Sequence, residues 1–128
     1  MKTILVIPGE LMDANTYINL ERGNKFGAAK VKKEETEMIH WLCIQQKAKP
    51  IKTPADIEFH WYAKNKRKDP DNIAFAIKFI LDGLVNAKVL PNDRFTTIKS
   101  ITHRFFLDSS HPRIVVVGNI LFDPEPLK

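Results

Sequence analysis

The chain has 128 residues, 44% hydrophobic and 27% charged, with a formal net charge of +5 and a pI near 9.4. That length buries an ordinary core as one domain without disulfides or a structural metal, and the composition excludes a disordered chain. The positive excess favours a phosphate-rich partner such as nucleic acid.

Cys43 is the single cysteine, which excludes an internal disulfide and a cysteine-based zinc set and fits a reducing cytoplasm. His40, His60, His103 and His111 lie too far apart for a helical histidine pair. The apolar run Ile4-Leu5-Val6-Ile7 is closed by Pro8-Gly9, too short for a signal peptide or a membrane span. A cytoplasmic protein with no membrane partner is expected.

Taken in order, residues 3–7 read as a short strand and residues 9–26 as a loop punctuated by Asn15, Asn19, Gly23 and Asn24. A helix is expected over about residues 28–48, with Ala28, Val31, Met38, Leu42 and Gln45 near one stripe and Ile39 widening it. Pro50 stops it. Ile57, Phe59 and Trp61 alternate with Glu58, His60, Tyr62 and Lys64, the pattern of a half-buried strand. From about 71 to 87 the period becomes helical, with Ile73, Ile77, Ile80 and Leu84 on one face. Phe75 and Phe79 lie off that stripe, as extra core or a dimer contact. Strands near 96–107 and 113–120 follow, joined by 108–112 as a hairpin loop. Continuously apolar Ile114–Val117 suits a central strand covered on both faces. The order β-α-β-α-β-β predicts an α+β domain of two layers, a mixed sheet packed by two main helices.

The chemistry concentrates in KNKRKDPDN, residues 64–72. Asp69 is a favoured helix N-cap and Pro70 a favoured first helical residue, so capping alone accounts for the pair in many proteins. Pro70 also biases Asp69 toward an extended conformation, in which Asp69 and Asp71 point the same way and are able to share one cation. A third carboxylate, Asp93, follows the next helix. At 17 residues that helix is roughly 25 Å long, so sequence alone does not bring Asp93 back, and only a return through the 88–93 turn into the next strand could do so. Three carboxylates with no nearby Cys or His suit a hard cation, Mg2+ or Mn2+, of the kind that supports phosphodiester hydrolysis. Lys64, Lys66, Arg67 and Lys68 sit beside them, sorted rather than interleaved, where they would hold neighbouring phosphates. Lys25, Lys30, Lys32 and Lys33 extend that path or simply form a solvated helix face.

Asp69-Pro70-Asp71-Asn72, a lysine along the following helix, and Val89-Leu90-Pro91-Asn92-Asp93 resemble the RusA-type Holliday junction resolvases. Asn15-Thr16-Tyr17 is similar to that family's early Asn-x-Tyr. The likeness is best over residues 57–95 and weaker over 8–45. It implies a homodimer that binds a four-way DNA junction and makes paired magnesium-dependent nicks, with Asp69, Asp71 and Asp93 as metal-binding acids. The family's lysine four residues after the second Asp is replaced here by Phe75. Lys78, offset by about 60° around a helix, stands in for it as electrostatic stabiliser or pairs with Asp82. Asn72 orients a water or phosphate, or caps the helix. The competing readings are a nucleic-acid-binding protein that does not cut, and a nuclease for flaps or single strands.

Overall fold

The computed structural model describes residues 1–121. The last seven residues of the expected single domain, 122–128, lie outside the described part.

Four strands form one mixed sheet: β1 (Lys2–Pro8), β2 (Ala55–Ala63), β3 (Ile98–Leu107) and β4 (Arg113–Asn119), in the spatial order β1-β4-β2-β3. Four helices accompany it: α1 (Ala14–Gly23), α2 (Lys25–Gln45), α3 (Pro70–Ala74) and α4 (Ile77–Asn86). The α+β class, the mixed sheet and the two main helices, α2 and α4, are as expected. Among the described residues no helix is long and apolar enough to cross a membrane.

The alternation in β2 does what its period requires. Ile57, Phe59 and Trp61 are buried on the helix side, next to Leu5 and Ile7 of β1 and Ile114 and Val116 of β4. Val115 and Val117 are only half-buried, so β4 is central yet covered by helices on one face. Its unbroken apolar run reflects strand propensity on the open face rather than a second helix layer.

Three further expectations are corrected. Residues 14–23 are a helix, not loop: Asp13 caps it by accepting the Thr16 N–H at 2.8 Å. None of its residues is buried, so it carried no apolar stripe to read. On α2 the buried residues are Ala28, Thr36, Ile39 and Cys43, while Met38 and Gln45 face outward. Small residues line that stripe because α2 lies close on α4, where a Cβ on Gly83 would stand 2.5 Å from Ile39 Cγ2. Finally, β3 and β4 are not a hairpin. β2 runs between them, parallel to β3 and antiparallel to β4. Residues 108–112 cross the end of β2, where the Asp108 N–H bonds Ala63 O at 2.9 Å.

The expected helix over 71–87 is interrupted. Ala76, Lys78 and Phe79 bond carbonyls three residues back, a 3₁₀ tightening between α3 and α4. Phe79 is fully buried and Phe75 half-buried; with Tyr17 of α1 they form a ring cluster at centroid separations of 5.5–5.8 Å. The two phenylalanines are core.

Candidate functional site

β2 delivers the basic segment 64–68 to one end of the sheet, and α3 begins directly after it. Two of its cations are spoken for. Lys64 Nζ lies 3.6 Å from Glu10 Oε1, and Lys68 Nζ lies 3.0 Å from Asp13 Oδ2. Both acids belong to the segment between β1 and α1, which these pairs tie to the 64–68 loop. Burial opposes ionisation of Asp13, but the Thr16 N–H and Lys68 outweigh it and hold the carboxyl below its ordinary range. Lys66 and Arg67 are exposed and make no ion pair among the described residues.

Asp69 and Asp71 are both exposed and neither is paired with the cations beside it. Asp69 occupies the N-cap position of α3, yet its side chain accepts no hydrogen bond from the helix. Capping therefore leaves both carboxylates with free oxygens. Asn72 does not cap its own helix. Its Oδ1 accepts the Asn15 N–H at 2.9 Å and so pins the start of α1 to α3. The 15–17 segment thus meets the α3 region through Asn15 on Asn72 and through Tyr17 on Phe75.

The same segment holds a residue that sequence reasoning missed. Glu35 of α2 accepts the Met12 N–H at 2.9 Å, while its other oxygen is buried with no hydrogen-bond partner among the described residues. Burial pushes its pKa up, and the Met12 N–H only partly offsets this. No single-sequence signal marks it, because Glu34-Glu35 reads as part of a charged solvated face. The sign of the consequence follows from linkage: a carboxyl raised in the folded state stabilises at low pH and loses that contribution as pH rises through its folded value. Glu35→Gln keeps the Met12 acceptor and does not titrate. Thermal unfolding from pH 4 to 8 is expected to show wild type losing ground to the variant as pH rises. A constant gap across that range would refute the assignment.

Asp93 is placed elsewhere. Asn92 Oδ1 accepts the Arg94 N–H at 3.0 Å and the Thr97 hydroxyl, forming the turn that presents Asp93. Asp93 lines a groove with Lys32, Lys33, Glu37 and Asp82, between α2 and α4. Asp69 instead lines a cavity of about 300 Å³ with Lys66, Lys68 and Phe105–Leu107 at the end of β3. The topology explains the separation. β2 and β3 are parallel, so α3 and α4 carry the chain back from the end of β2 to the start of β3. Asp69 and Asp71 lie at one end of that crossover and Asp93 at the other. Accordingly, no group of three or more His, Cys, Asp or Glu side chains among the described residues is placed to hold a metal ion. Lys78 is exposed and makes no ion pair with Asp82 among the described residues. The 3₁₀ tightening removes the continuous helix on which its spacing from Asp71 was counted.

No protein-family model and no curated protein sequence matches the chain.

Proposed function

We propose that the protein is a structure-specific DNA endonuclease of the Holliday junction resolvase type, acting as a homodimer with Mg2+ or Mn2+. The observation that carries this reading is the unneutralised pairing at the start of α3. Among the described residues Lys66 and Arg67 stand free beside Asp69 and Asp71, and neither carboxylate is used as a cap or an ion-pair partner. Cations and carboxylates left apart at such close quarters suit a phosphate backbone gripped by the former and a divalent cation held by the latter.

A single subunit supplies two of the three expected carboxylates. The third is within reach only if Asp93 of a second copy comes to Asp69 and Asp71, so the reading requires the dimer. A four-way junction is two-fold symmetric, and a C2 dimer presents it with two equivalent sites. Selection by branch shape needs no base-edge contacts, which fits a site built from backbone-gripping cations.

The test is a synthetic four-way junction labelled on each arm, with a linear duplex of the same sequence as control. Paired nicks near the crossover, present with magnesium and lost with EDTA, are the expected result. Tight, salt-sensitive junction binding without cleavage in magnesium or manganese would overturn the nuclease reading and favour a binding protein. Preferential cutting of flaps or single strands would overturn the junction assignment.

A further inference from the structure

We infer that the outer edge of β3 is the dimer seam, pairing antiparallel with β3 of a second copy so that the two sheets run together. This rests on the dimeric reading above and assigns it a surface.

The two edges of the sheet are finished differently. At the β1 edge, the Gln46 side chain accepts the Val6 N–H at 2.9 Å and donates to Val6 O at 2.7 Å. It occupies both backbone groups of Val6, which a further strand along this edge would need. β3 is ten residues long and pairs only with β2, and its outer edge carries no such block among the described residues. A long open edge is a template for another strand.

The side chains agree. On the helix side, Ile57, Trp61 and Ala63 of β2 are buried, while their β3 neighbours Ile101, Phe105 and Leu107 are 43%, 40% and 53% exposed. The helix layer thus ends over β2 and leaves an apolar ledge on β3. Phe106, on the opposite face, is partly accounted for by stacking on Tyr62 at 4.8 Å; on the ledge, Phe105 stacks on His103 of its own strand at 6.3 Å.

Polarity decides the occupant. An antiparallel β3 from a second copy reverses the direction of its crossover. The start of that strand, with its Asp93, then comes to the end of β3 where Asp69 and Phe105–Leu107 share a cavity. A parallel neighbour would leave both copies' Asp93 at the wrong end. The register is restricted too, since in a continuous sheet facing residues lie on one face and their numbers differ by an even amount. Pairing Ile101 with Phe105 of the second copy satisfies this and covers the ledge. It puts His103 opposite its own copy and Arg104 opposite Thr102. Sliding by one allowed step toward the strand end would instead set Arg104 against Arg104, which like charge disfavours.

Light scattering on the full chain at tens of micromolar is expected to give a dimer for wild type. Phe105→Glu is expected to give a monomer with unchanged circular dichroism and a thermal midpoint that no longer depends on protein concentration. In the inferred register His103→Cys cross-links on mild oxidation, since directly facing strand residues fall within disulfide reach. His103 also accepts the Trp61 indole N–H at 3.0 Å. The double variant Ile101→Cys/Phe105→Cys therefore provides a second cross-link that leaves this contact intact. Wild-type Cys43 is buried and serves as the control. A monomeric wild type, or a dimer that survives Phe105→Glu and gives neither cross-link, overturns the seam. A dimer that cross-links at these positions yet leaves four-way junctions uncut upholds the seam and overturns the nuclease reading.

Discussion

Mixing Asp71→Asn with Asp93→Asn is expected to restore nicking of a four-way junction that neither variant cuts alone. Each homodimer lacks a carboxylate at both of its sites. Losing one donor from a cation site that stabilises transition-state charge costs several kcal/mol, a rate loss of about 100-fold or more. In the mixed dimer the two substitutions fall in the same site when Asp93 works across the seam. The other site keeps Asp69 and Asp71 from one subunit and Asp93 from its partner. Random exchange makes about half of the dimers mixed, each with one intact site of two, so roughly a quarter of wild-type sites return. Because one site per dimer is intact, the recovered product is a single nick rather than a paired cut. If all three acids worked within one chain, every site in the mixture would be damaged and the mixture would stay inactive. Full activity of Asp93→Asn by itself would place Asp93 outside the site altogether.

Phe79→Ala is expected to lower the free energy of unfolding by about 3–5 kcal/mol, the usual cost of removing a fully buried ring and leaving a cavity. Phe79 is buried to within 1% and touches both Phe75 and Tyr17, so the loss falls on the packing of α1 and α3 against α4. Native stability is typically only 5–15 kcal/mol, so this is a large share of it. The measurement is urea unfolding at fixed protein concentration, because a dimer's midpoint depends on concentration. Phe75→Leu, at a half-buried position, serves as the milder comparison. A small change in unfolding with loss of the dimer would move Phe79 from the core to the seam and reverse the assignment made above.

The legible parts of this fold are those where burial imposes a period. β2 buries one face, so Ile57, Phe59 and Trp61 announced it. α4 buries Ile80 and Leu84 of the expected stripe, together with Phe79 and Gly83, which lay off it. Where burial is weak or the packing is close, the period fades. α1 fully buries no residue and is held by its cap and by Asn15 and the half-buried Tyr17 acting on the α3 region. α2 meets α4 where the bare backbone of Gly83 lies against Ile39 and Thr36, and hydrophobicity patterns mark neither a glycine nor a threonine. The five-residue connection 108–112 reads as a hairpin turn because sequence distance carries no information about which strand lies between.

For the candidate site, the sequence by itself determined which residue types sit together: four cations of the 64–68 segment followed at once by Asp69 and Asp71, with Asn72 after them. Adjacency along a chain fixes adjacency in space over such a short range. Tertiary structure alone decided how those charges are used. It drew Glu10 and Asp13 onto Lys64 and Lys68, left Lys66 and Arg67 without an ion pair among the described residues, and left Asp69 without a capping bond. It also decided the place of Asp93. A parallel crossover must begin and end at opposite ends of its strands, so this topology holds Asp93 away from the acids of its own chain.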